Sequence, residues 1–159
     1  MKKISISILV VLALGLAFGQ LAGADPNPPE DVDFTITLPA GAVFGHCSFD
    51  VELSVTGKGK VIDLPGDRFI FTSPGLRATL TNLVTGKQVT LNITGAFHET
   101  TEEDGSVVTV TTGRSLLGDP EAGFVLAIGS FSYVLDASEN LIQPLAGEGR
   151  LIDVCGLID

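Results

Sequence analysis

The chain has 159 residues, 45% of them hydrophobic, with 9 Lys and Arg against 19 Asp and Glu and no tryptophan. Its formal charge of −10 argues against nucleic acid and anionic membrane surfaces as partners, because both repel an acidic domain. The length suits one domain able to bury a real core.

In chain order, Lys2 and Lys3 precede an uncharged apolar run from Ile6 to Phe18, and Ala22-Gly23-Ala24 supplies a small-x-small cleavage pattern. This is the layout of a secretory signal peptide. The apolar run falls short of the about 20 residues that a membrane span needs. Position 25 is Asp25, not a cysteine that could carry a lipid. The expectation is a cleaved segment 1–24 and an exported chain with no membrane attachment once the signal is removed. Without Lys2 and Lys3, 7 basic residues face 19 acidic ones, a mature charge of −12.

Residues 25–31, "DPNPPED", read as an extended, acidic, proline-rich leader, since three prolines in seven residues forbid a helix or a central strand. A single domain is expected over 32–159. There the pattern is period two. Cys47, Phe49, Val51, Leu53 and Val55 share one face, and Val89, Leu91, Ile93 and Phe97 share another. "FVLAIGSFSYVL" is apolar on both faces, as expected of a strand covered on both sides. Turn chemistry at Gly57 and Gly59, Pro65-Gly66, Pro74-Gly75, Gly86, Asp104-Gly105, Gly118–Gly123 and Asp136–Asn140 separates the runs. The predicted strands are Phe34–Leu38, Ser48–Thr56, Lys60–Leu64, Arg68–Thr72, Leu76–Leu83, Gln88–Glu99, Val107–Gly113 and Phe124–Leu135, with a last one over Leu145–Val154.

Short connections favour sequential antiparallel neighbours. The fold class expected is therefore all-β, an antiparallel meander of about eight strands closing into a barrel, because closure removes exposed edges. Cys47 and Cys155 are the only cysteines. A disulfide between them needs Cα atoms within about 7 Å, which would set an early strand beside the last one and place the bond at the barrel seam. Export favours oxidation; two separate buried thiols are the alternative. An immunoglobulin-type sandwich is the rival fold, but it normally packs a tryptophan on its bridge.

The search for chemistry gives weak candidates. His98 is followed by Glu99, Glu102, Glu103 and Asp104, and a histidine beside carboxylates suits a general base or a metal ligand. Against this, the acids lead into the Asp104-Gly105 turn and read as a solvated hairpin tip. His46 adjoins Cys47 but faces away from it, so no thiol–imidazole dyad is expected. With two histidines and no recognised ligand spacing, no metal site is expected, and no cofactor. Arg150, Asp153 and Glu148 lie on the final strand, and Arg77 and Arg114 elsewhere mid-strand or at strand ends. Inward-pointing charges would need partners and would mark a pocket; the alternative places them on the outer wall as ordinary surface pairs. The phenylalanines read as core packing. Asn92-Ile93-Thr94 matches a glycosylation sequon by chance.

"KVIDLPGDR", "ATLTNLVTGKQVTLNITG", "DGSVVTVTTGRSLLGDPEAGFVLAIGSF" and the closing "GRLIDVCGLI" resemble a group of uncharacterised secreted proteins of actinobacteria and related bacteria. The resemblance implies secretion and a β-rich fold but assigns no site. In outline only, the meander is similar to lipocalin-like and allene-oxide-cyclase-like barrels, and fold does not fix function. The leading expectation is a secreted, non-enzymatic β-barrel that binds a small lipophilic ligand or an extracellular partner. The alternatives are a cyclase or isomerase using the lumen as a shaped pocket, and a passive structural or interaction protein of the cell exterior.

Overall fold

The computed structural model describes residues 28–41 and 47–159. The expected signal segment, the start of the leader and His46 lie outside the described residues. Nine antiparallel strands follow one another: β1 (Glu30–Leu38), β2 (Val51–Leu64), β3 (Arg68–Thr72), β4 (Arg77–Asn82), β5 (Gln88–Asn92), β6 (Gly95–Thr101), β7 (Val107–Asp119), β8 (Gly123–Leu135) and β9 (Leu141–Asp153). A single helical turn, α1 (Cys155–Ile158), ends the chain. They form one sheet in the order β5-β4-β2-β3-β6-β7-β8-β9, with β1 also paired to β2.

The all-β expectation and the disulfide hold; the closed barrel does not. Only β6 to β9 run as a simple meander, because β2 pairs with β4 and β3 pairs with β6. The strands β1, β5 and β9 remain edges. Instead of closing, the sheet folds over itself. Gly95 pairs with Gly113, Gly113 with Gly129, and Gly129 with Gly149, so four glycines lie in register across β6, β7, β8 and β9. The sheet creases along this line. The proof is a hydrogen bond: the Leu145 N–H, on one side of the line, donates to Asp119 Oδ2, on the other, at 3.1 Å. A flat ladder would hold these groups far apart, at about 3.3 Å per residue.

Three layers result. The front wall is β1, residues 51–59 of β2, β4 and β5. The back wall is residues 60–64, β3, β6, and residues 107–112, 130–135 and 141–148. Residues 114–119, 123–128 and 150–153 are tucked between them as a middle layer. One face of this layer (Leu116, Phe124, Leu126, Ile128) packs on Val51, Leu53, Val55 and Leu80 of the front wall. Its other face, with Leu117, Val125 and Ala127, packs with Phe97, Phe131 and Tyr133 of the back wall. That is why β8 begins with an uninterrupted buried run, as its two-sided apolar sequence predicts.

Several strand boundaries differ from expectation: β1 begins at Glu30, inside the expected leader, β7 runs on past Gly113 to Asp119, and three further differences have physical reasons. Gly57 and Gly59 interrupt nothing: β2 runs through them from the front wall to the back wall. At Gly57 (φ +136°) a Cβ would lie 2.8 Å from both the Gly75 carbonyl oxygen and the Leu76 Cα, so glycine answers a close approach of backbone. The predicted strand Gln88–Glu99 splits into β5 and β6 because the chain crosses between walls there. Buried Ser73 secures the crossing, its one Oγ–H shared between the Ile93 and Gly95 carbonyls and its oxygen accepting from the Gly95 N–H. The last strand starts at Leu141 instead of Leu145, its ladder with β8 shifting register around Pro144, a residue tolerated on an edge.

Cys47 and Cys155 are bonded with Cα atoms 5.2 Å apart. The bond is not a seam between neighbouring strands, since Cys47 precedes β2, Cys155 opens α1, and β2 does not pair with β9. It ties the front wall to the end of the middle layer, inside the larger core. Beside it, buried Asn82 donates to the Ile158 carbonyl and accepts from the Val84 and Thr85 N–H groups.

Candidate functional site

The charged residues singled out above do not converge. His98 is exposed on the outer face of the back wall, between Ile70 and Val110. Arg150 and Glu148 are exposed on β9, opposite Ile128 and Ser130. Asp153 is exposed and accepts the Cys155 N–H at 3.0 Å, steadying the turn into α1. Arg114 Nε donates to the Asn92 carbonyl, and Arg77 is exposed at the start of β4. With the sheet open, none of them lines a lumen. The turn after β6 is local structure: Asp104 Oδ1 accepts both the N–H and the hydroxyl of Ser106, which holds its carboxyl below the usual range.

What the fold does assemble is a polar row on the inner face of the back wall. Asp63 of β2 pairs with Phe69 of β3, Phe69 with Glu99 of β6, Glu99 with Thr109 of β7, and Thr109 with Tyr133 of β8. Side chains directly opposite in an antiparallel ladder have Cβ atoms about 4.5–5.5 Å apart, so the row is contiguous. Thr109 is 1% exposed, whereas Phe69, Glu99 and Tyr133 are half-buried and Asp63 is exposed. Beside it runs a second row, Val61–Phe71–Phe97–Thr111–Phe131, in which the Phe71 and Phe97 rings sit 6.4 Å apart at 52°.

The electrostatics of the polar row follow from burial. Removal from water raises the Glu99 carboxyl above its ordinary value of 4.5. Burial also pushes the Tyr133 hydroxyl up to about 12, against its hydrogen bond with Thr109 and with a further push from the Glu99 charge. A raised carboxyl favours the folded state below its unfolded pKa, and that contribution is lost as pH rises through the folded value. Glu99→Gln is therefore expected to be more stable than the parent at neutral pH, with the difference vanishing below pH 4.5. Thermal melts of both proteins across that range check it.

Sequence reasoning grouped Glu99 with the acidic turn and passed over Thr109 and Tyr133. One signal was there: Glu99 has the same parity as Phe97, so alternation sets a carboxylate on an apolar face. Compared with known proteins, the chain matches no family model, no curated protein and no solved structure.

Proposed function

We propose that the protein is an exported binding module that holds a small lipophilic molecule against the inner face of the back wall, outside the cell. The observation that supports this reading is a gradient of coverage along that face. Under the middle layer, Thr109, Thr111 and Phe131 are buried; toward β2 and β3, Val61, Phe69 and Phe97 are half-exposed around a buried Phe71. This leaves an aromatic strip with polar groups at its margin, the usual composition of a small-molecule site. Export is supported by the disulfide, which suits an oxidising compartment, together with the basic-then-apolar N-terminal sequence.

Tyr133 is the only tyrosine and there is no tryptophan, so the intrinsic emission of the protein reports on this site. Titration with pyrene, a neutral lipophile, is expected to quench Tyr133 emission saturably, and Phe69→Asp to weaken the effect about tenfold. Non-saturable quenching, or quenching untouched by Phe69→Asp, overturns the reading.

A further inference from the structure

We propose that the molecule held on this strip is a cationic amphiphile, an amine or quaternary ammonium with an apolar tail, whose charged head sits at Glu99. The inference rests on the binding reading above and adds the charge of the ligand. Glu99 is a half-buried carboxylate flanked by an aromatic ring, Phe69, and by buried Thr109, with the Tyr133 hydroxyl close enough to feel its charge. Among the described residues one ion pair forms, Lys58 with Asp31, on the front wall. Glu99 has no cationic partner there. Every ionisable group sharing its row is acidic: Asp63 on β2 and Tyr133 on β8. By the alternation of β3 and β6, the neighbouring basic residues Arg68 and His98 belong to the opposite face.

A carboxylate withdrawn from water without a partner is costly, and a fold that keeps one beside aromatic rings presents an incomplete ion pair. An organic cation completes it in two ways, by pairing with the carboxylate and by lying over the ring faces. Fatty acids and phosphate esters fit badly, because Asp63 and Glu99 repel them. A metal ion fits badly too, since among the described residues no three His, Cys, Asp or Glu side chains are grouped to hold one.

The test is calorimetric titration of the oxidised, exported protein with dodecyltrimethylammonium, dodecylammonium, dodecanol and dodecanoate, each below its micellar concentration. Both cations are expected to bind about tenfold more tightly than dodecanol, and dodecanoate most weakly. Glu99→Gln should bring the cations down to the level at which the same variant binds dodecanol; Glu103→Gln, in the exposed turn, should change nothing. A preference for dodecylammonium alone assigns the head to a donor amine, and equal binding of both cations assigns it to ion pairing and ring contact. Equal affinity for cation and alcohol, or a cation preference that survives Glu99→Gln, overturns this inference and leaves lipophile binding standing. Binding of none of the four overturns both.

Discussion

Replacing both cysteines, Cys47→Ala with Cys155→Ala, is expected to cost about 4–5 kcal/mol of stability and to lower the melting temperature by about 15 °C. The cysteines are 108 positions apart in sequence, and in the chain-entropy model a loop of that size is where a cross-link restricts the unfolded chain most. A local effect adds to the global one. α1 is four residues long, far too short to persist on its own, yet it carries Ile158 and follows Val154, both 0% exposed. Without the bond, this terminal plug rests on apolar burial and on hydrogen bonds from Asn82 to the Ile158 carbonyl, from Lys87 to the Asp159 carbonyl and from the Val154 N–H to the Phe124 carbonyl. Melts with and without reductant, together with amide exchange over residues 154–158, measure both effects. A shift under about 3 °C would mean that the layers hold without the tie.

The second large effect is expected at the crease. In Gly129→Ala, the new Cβ would fall inside the van der Waals envelope of the Glu148 carbonyl oxygen and 2.8 Å from the Gly149 Cα, at a φ of +142°. The clashing atoms are backbone, which cannot swing aside as a side chain can. Strain and overpacking together should cost at least about 4 kcal/mol, enough to unfold a domain of marginal stability. Gly66→Ala is the control. It has a comparable left-handed backbone, φ +78°, but no atom within 4 Å of the added carbon, so only about 1 kcal/mol is expected. Urea midpoints decide the matter: equal losses for the two variants would show that the crease tolerates side chains.

These glycines also show where the sequence was readable. Alternation identified Cys47 to Val55 as one inward face, and those residues do line the larger core. The doubly apolar stretch Phe124–Leu135 announced a strand with cover on both sides, and its first half has it. Closure could not be read in the same way. A glycine relaxes the backbone equally for a turn, as at Gly66, and for a fold across several strands, as at Gly113 and Gly129; only cross-strand register tells them apart. The four crease glycines are scattered over 55 positions, Gly95 to Gly149, and align only once the pairing is known. The site was hidden for the same reason. Asp63, Phe69, Glu99, Thr109 and Tyr133 come from five strands, and parity marks Glu99 as unusual without naming its neighbours.

The middle layer is made from the last third of the sequence, yet both walls pack upon it. An N-terminal portion emerging first from a ribosome or an export channel therefore has nothing to close around: Val51, Leu53 and Leu80 stay uncovered until residues 116–128 arrive. Productive folding must wait for the middle-layer residues 114–153, and pairing of the two sulfurs for Cys155. Assembly is thus slow, as distant contacts dictate, and the waiting β-strands need protection from one another while the centre is still missing.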